Sequence, residues 1–341
     1  MSFKRLDPED ISISAESVVA PLFSNGVPYL ESFFTSSTQT AASTGKFYYE
    51  IYHQNPNDGS ADELTAQVQF SIAFADKDGG GTVRYNSGVA KKSPSATVYG
   101  QYRNLVLGDE DQDIKFGGVA QDTFYALTID RSRYKEKLLP GSFNLKLVNG
   151  AKTLHLTDNS KDVSSISFND AGRVFEVISG SFGTKNAGSS DGFASTAIGS
   201  YGKFLPDVGV ILLNAAALDD SSVGINLGTN TEGAENNLNL DKLYEAIDAG
   251  SSGSLQSEET VSSNFVFVRV RNSEFNYSTN PSNITGSGEL THDIMINSPQ
   301  AYITTVGLYN DNNDLLAVAK LSRPLLKDFT KEALLRIKLD Y

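Results

Sequence analysis

The chain has 341 residues, a net charge of −13 from 28 Lys and Arg against 41 Asp and Glu, and neither cysteine nor tryptophan. This excludes disulfide frameworks, iron–sulfur clusters and thiolate zinc sites, and it disfavours nucleic acid as a partner, because an acidic chain without a basic stripe repels polyphosphate. At this length two domains or slightly more are expected, and a chain only 20% charged yet rich in Ser, Thr, Asn and Gly suits strands and turns better than long helices.

Met1–Asp10 lacks the apolar core of a secretory leader. No later run approaches the roughly 20 apolar residues that span a bilayer. Cytoplasmic synthesis and no membrane partner are expected, so the sequons at Asn276 and Asn283 carry little weight. The aromatic stretch Lys46–His53 is a predicted strand, closed by a turn at 55–59. In Ala66–Ala75, the residues Val68, Phe70, Ile72 and Phe74 alternate at the period of a half-buried strand. Asp76–Gly81 follows and predicts a hairpin tip, with Thr82–Tyr85 as the returning strand. Further strands are predicted at Thr123–Asp130, Ser142–Val148 and Arg173–Ile178, enough for two facing sheets. Gly180–Asp191, rich in Gly and Ser, predicts a mobile loop or a boundary.

Val208–Leu213 has the continuous apolar character of a buried strand. One short helix is predicted near 240–249: Asn239 caps it, Leu240, Leu243, Tyr244 and Ile247 form its packing face, and Gly250 stops it. Ser251–Thr260 is expected to be a loop. Strands are then predicted at Asn264–Arg271, His292–Asn297, Ala301–Tyr309 and Leu315–Leu321, with the polar turn Asn310–Asp314 between the last two. At the end, Leu335, Ile337, Leu339 and Tyr341 share one face, which predicts a terminus paired into a sheet. The expected fold is mainly β, with two or more antiparallel sandwich-like domains. The expected divisions are an N-terminal β domain over 1–195, a connecting region with the helix over 196–260, and a C-terminal β domain over 261–341.

Catalytic signatures are missing from this pattern. His53, His155 and His292 stand far apart, without the converging ligands of a metal site. There is no G-x-S-x-G elbow. The glycines at 79–81 lack the Lys-Ser/Thr and helix of a phosphate loop. Asp109, Asp111 and Asp113 are spaced like the start of a calcium loop, but Ile114 and Ala120 stand where glycine and the closing carboxylate belong, so a solvated acidic turn is expected. The basic run Arg131, Arg133, Lys135 and Lys137 is expected to be a solvated loop, or else a contact for an acidic neighbour. No catalytic, cofactor-binding or metal residue is nominated, and a non-enzymatic protein is expected.

Two stretches in the C-terminal part resemble structural proteins of contractile-tailed phages. The first is Val268-Arg269-Val270-Arg271-Asn272-Ser273-Glu274-Phe275-Asn276-Tyr277, followed by Asn280-Pro281. The second is Tyr302–Tyr309 with the Asn/Asp turn and Leu315–Lys320. The second is also similar to the module by which tail-collar fibre proteins join the baseplate. Phe3–Ala20 and Val98–Asn104 are similar to N-terminal parts of large virion proteins. The resemblance covers about half the chain and implies a virion protein of the tail, a baseplate or fibre-connector part in several symmetric copies. Its implied partners are neighbouring tail proteins and copies of itself, with the C-terminal domain as docking module. Tyr302, Leu308, Tyr309 and Phe329 are candidate apolar contacts there, against the simpler expectation that they fill that domain's core. The stretch 35–45 is expected to order on assembly. A neck, head-vertex or decoration protein is the alternative within a particle. A carbohydrate-binding adhesin-like module is the alternative of another class, weakened by the lack of Trp.

Overall fold

The computed structural model describes residues 4–36, 47–57, 66–85, 92–187, 189–233, 238–278 and 280–340. The expected turn at 58–59, the bulk of the 35–45 stretch and Tyr341 lie outside the described residues. The chain is mainly β, built on a large curled antiparallel sheet. It divides into a larger unit, 18–259, and a smaller one that joins 1–17 to 260–341. The expected break at 195 falls inside the larger unit's sheet, whereas the expected break at 261 lies beside the observed one.

The larger unit contains β1 (Tyr48–Tyr52), β2 (Val68–Asp76), α1 (Pro94–Leu107), β3 (Thr123–Ile129), β4 (Asn144–Asn149), β5 (Lys152–Asp158) and β6 (Gly172–Ser181). After these come β7 (Gly202–Leu205), β8 (Val210–Asn214), α2 (Ala215–Asp219) and α3 (Leu238–Gly250). The sheet order is Phe34–Thr35, β1, β2, β3, β8, β7, β6, β5, β4, Gly253–Ser254 and Tyr29–Leu30. Its outermost strands are two residues each, which leaves little exposed edge.

Both faces of the central strands are covered, and this explains their unbroken apolar runs. Along β8, Ile211 and Leu213 enter the core shared with α2 and α3, while Val210 and Leu212 enter the one under α1. In β3, Tyr125 and Leu127 face the first core, and Phe124 and Ala126 the second. A strand with two buried faces has no polar side to show. In β2 the predicted face Phe70, Ile72 and Phe74 is buried in the α3 core.

Helix α3 packs Leu240, Leu243 and Ile247 into that core as expected. Asn239 is not its cap. It lies buried within the first turn, where its Oδ1 accepts from Asn230 N at 2.8 Å and its Nδ2 donates to Gly81 O at 3.0 Å. Gly250 ends the helix against β4 so closely that a Cβ there would lie 1.9 Å from Lys146 O.

Helix α1 was not predicted. Its signals are local: Pro94 at the first turn, Ser93 Oγ accepting from Ala96 N, and Gly108 at φ 61° donating to Asn104 O at 2.9 Å. Tyr99, Tyr102 and Val106 recur at helical spacing on its buried face, but Gly100 and the β-branched Thr97 and Val98 blur the pattern.

Three other expectations are corrected. Asp76–Gly81 is not a hairpin tip, since β2 pairs with β1 and β3 and residues 82–85 form no strand. Asp76 Oδ1 instead accepts from the N–H groups of Asp78, Gly79 and Gly80 at 2.7–3.1 Å. Ser93 and Ser95 take the carbonyls of Gly79 and Gly80, which ties this buried turn to the start of α1. The second correction is at 251–260, where β9 (Gln256–Val270) begins and Ser257 and Glu258 pair with Leu138 and Lys137. Lastly, His292–Asn297 is not a strand: Met295 N and Ile296 N donate back to His292 O and Asp293 O, forming a helical turn over Ile294–Asn297.

In the smaller unit β9 is the middle strand of a sheet between Ile11–Pro21 and β12 (Ala333–Asp340). Eight register pairs, Ser263–Val270 against Ala333–Asp340, hold the C-terminal strand, as its alternation predicted. The remaining element is a separate two-stranded ribbon of β10 (Ala301–Tyr309) and β11 (Leu315–Lys327).

Candidate docking surface

The ribbon is closed by a five-residue loop held by its first side chain. Asn310 Oδ1 accepts from Asn312 N and Asp314 N at 3.0 and 2.7 Å, and Asn310 Nδ2 reaches Asp314 Oδ2 at 3.0 Å. Asn313 takes the left-handed conformation, φ 65°, that Asn tolerates better than most residues.

Register sorts the side chains into two faces. Val306 and Leu308 lie opposite Ala319 and Ala317, and all four are half-buried. The other face carries Tyr309 with Leu315, Gly307 with Val318, and Thr305 with Lys320. It is open to water: Val318 is 53% exposed, Leu315 52% and Leu316, beside them, 68%. Gly307 makes room for this surface, since a Cβ there would lie 2.9 Å from the Tyr309 ring and 3.3 Å from Leu315. Tyr302 and Phe329, near the base of the ribbon, are also exposed. Of the four candidate apolar contacts only Leu308 is partly covered. The expectation that these residues fill their own domain's core therefore fails for Tyr302, Tyr309 and Phe329.

The base of the ribbon is anchored by a buried lysine. Lys327 has no accessible surface, and its Nζ donates to Asn276 Oδ1 at 2.7 Å, Asp328 O at 2.9 Å and Asn272 O at 3.0 Å. An ammonium has three donors, so all are satisfied. Asn276 is itself buried and donates to Asn272 O at 2.7 Å, so its sequon amide is taken up internally. Beside this knot Glu274 accepts from Arg271 N at 2.9 Å and pairs with Lys4 at 3.0 Å. The Arg271 hydrogen bond and then Lys4 hold the Glu274 carboxyl below its ordinary pKa. Val268–Tyr277, the first of the two stretches that carry the phage resemblance, thus contains the seat into which the ribbon's last residue is pinned.

The remaining candidates do not converge. His53 Nδ1 lies 3.3 Å from Gln69 Nε2, while His155 and His292 are exposed on separate elements. Among the described residues no three His, Asp or Glu side chains group as a metal site. Asp109 turns inward on its own loop, accepting from Asp111 N and Gln112 Nε2, whereas Asp113 pairs with Lys77 at 2.6 Å. The basic run is spent locally. Arg131 stacks 4.5 Å over Tyr134, Arg133 donates to Ser24 and Gln67, and Lys135 meets Glu259 at 3.2 Å. No helix among the described residues is long and apolar enough to cross a membrane.

No protein-family model, curated protein or solved structure matches this chain.

Proposed function

We propose that this protein is a non-enzymatic structural part of a phage tail, in the baseplate or at a fibre connection, and that it docks on neighbouring tail proteins through the β10–β11 ribbon. One observation carries the reading: an anchored two-stranded ribbon holds Tyr309, Leu315, Leu316 and Val318 in water. Two strands alone are marginally stable, and natural proteins cover or charge long exposed strands. A face of this kind is matched to a partner that buries it, and large apolar residues at the centre of a patch supply most of the energy of such contacts. The sequence resemblance of this segment to a baseplate-attachment module supports a neighbouring tail protein as the partner.

The test has two parts. Gold-labelled antibody against the protein is viewed by electron microscopy on purified tailed particles, with label expected at the distal end of the tail. Label at the neck or head would favour the alternative position, and absence from intact and opened particles would remove the virion reading. In parallel, the variant Leu316→Ser, Val318→Ser is expected to fold normally yet fail to enter particles. Normal incorporation of that variant would refute the ribbon as the docking element.

A further inference from the structure

A second feature lies in the larger unit and is independent of the ribbon. Between α1 and the surface of β1, β2 and β3 runs a groove of about 850 Å³, within the roughly 300–1,000 Å³ of most ligand sites. Its apolar lining includes Ala73, Val98 and Val208, with the hydroxyl residues Ser71 and Thr128 beside them. Three cations, Arg84, Lys92 and Arg131, and a single carboxylate, Asp130, complete its charged lining. The groove is therefore locally positive in a chain whose net charge is −13.

How these groups are engaged narrows the ligand. Asp130 Oδ1 already accepts from Ser132 N, at 2.8 Å, and from the Ser132 hydroxyl, so its charge is directed to its own loop. Arg131 is fixed by donation to Tyr134 O and Lys135 O, so it contributes field more than free donors. Arg84 differs. Its guanidinium lies 5.3 Å over the Phe47 ring, and among the described residues it makes no hydrogen bond or ion pair. Its backbone is held at φ 65°, in the left-handed region that a non-glycine residue seldom adopts. Lys92 is exposed, also without a partner among the described residues.

A stacked guanidinium keeps its N–H edges outward for a carboxylate. Arg84 and Arg131 each cover one face of the Phe47 and Tyr134 rings, which leaves less aromatic face for the stacking by which sugars bind. The Tyr102 and Thr128 hydroxyls are bonded to each other at 2.5 Å and are less free for sugar hydroxyls. What fits is an extended chain presenting carboxylates to Arg84 and Lys92 and apolar side chains to Ala73, Val98 and Val208. We infer that this groove binds an acidic peptide segment with alternating carboxylate and apolar residues.

The probe is a fluorescein-labelled hexapeptide of alternating Glu and Leu, titrated with the full chain by fluorescence anisotropy. Saturable binding is expected in 50 mM salt, weakened at least tenfold in 500 mM salt, as exposed charge pairs are screened. The Gln/Leu counterpart is expected to bind at least tenfold more weakly. Arg84→Gln with Lys92→Gln, both at exposed positions, should lower affinity at least tenfold while the melting temperature stays unchanged. Thr97→Glu, at an exposed position of α1 on the groove, should do the same by placing a carboxylate at the rim. No binding in low salt, or binding indifferent to these variants, would overturn the assignment. Competition by oligogalacturonate or inorganic phosphate at equal or lower concentration than the unlabelled peptide would overturn it in favour of a sugar acid or a simple anion.

Discussion

Replacement of Lys327 by Met probes the anchor on which the docking reading depends. Met keeps most of the aliphatic stem, so packing changes little, but three hydrogen bonds from Nζ disappear. Asn272 O retains the amide of Asn276 and Asp328 O retains Lys331 N at 3.3 Å, so the acceptor left without a partner from this knot is Asn276 Oδ1. A buried acceptor stripped of its partner costs about 1–3 kcal/mol. The two lost hydrogen bonds to carbonyls that keep another partner add to this, and the ammonium no longer having to be desolvated offsets part of it. A net loss of about 1–3 kcal/mol is expected, a sizeable share of the 5–15 kcal/mol typical of a domain. The assay is urea unfolding combined with amide hydrogen exchange, read locally over 272–277 and the base of the ribbon. Protection should fall there first, while β3 and β8 of the other unit keep theirs. A change below about 1 kcal/mol with unaltered local exchange would refute the satisfied buried ammonium, and with it the claim that Lys327 seats the ribbon.

Other consequences follow the same logic. Leu316→Ser with Val318→Ser should change stability by less than about 1 kcal/mol, because both side chains are already exposed; a larger loss in thermal unfolding would mean the face is covered within the monomer. Gly250→Ala places a Cβ against Lys146 O and should cost about 1–3 kcal/mol through overpacking, measured as a lower urea midpoint. The Asp207 carboxyl is pushed up by burial, but Arg173 outweighs this and holds it below its ordinary 3.8, with hydrogen bonds from the guanidinium at 2.7 and 3.0 Å. A depressed folded pKa stabilises at higher pH and is lost as pH falls through it. Asp207→Asn should therefore be less stable than the parent near neutrality, with the gap closing as pH drops below about 3.8; a gap constant with pH would refute the pairing.

Much of the candidate surface was legible in the sequence, though its exposure was not. Alternation located β10, β11 and the turn between them, but alternation records only that two faces differ. It does not record whether either face is covered, so Tyr302, Tyr309 and Phe329 looked like core residues and are in water. The Lys327 anchor was invisible because two of its three acceptors, Asn272 O and Asn276 Oδ1, lie 55 and 51 residues away in sequence. The groove was hidden for the same reason. Arg84, Lys92 and Arg131 are brought together by the pairing of β2 with β3 and by α1, an element whose caps were present in the sequence but whose periodicity was diluted by Gly100.

By itself the sequence determined what short-range chemistry determines. The period-2 strands, the α3 packing face, the buried run expected at Val208–Leu213 and the strand-forming C-terminus follow from side-chain order along the chain. Tertiary structure decided everything that depends on which strand lies beside which. It set β8 between β7 and β3, so that one sheet spans the break expected at 195. It turned the glycines after Asp76 into a buried junction, and it drew polar residues 256–260 into a strand through Lys137 and Leu138. The reason is physical: backbone hydrogen bonds carry no residue label, so strand order is selected by the sum of distant side-chain contacts, which no local window of sequence contains.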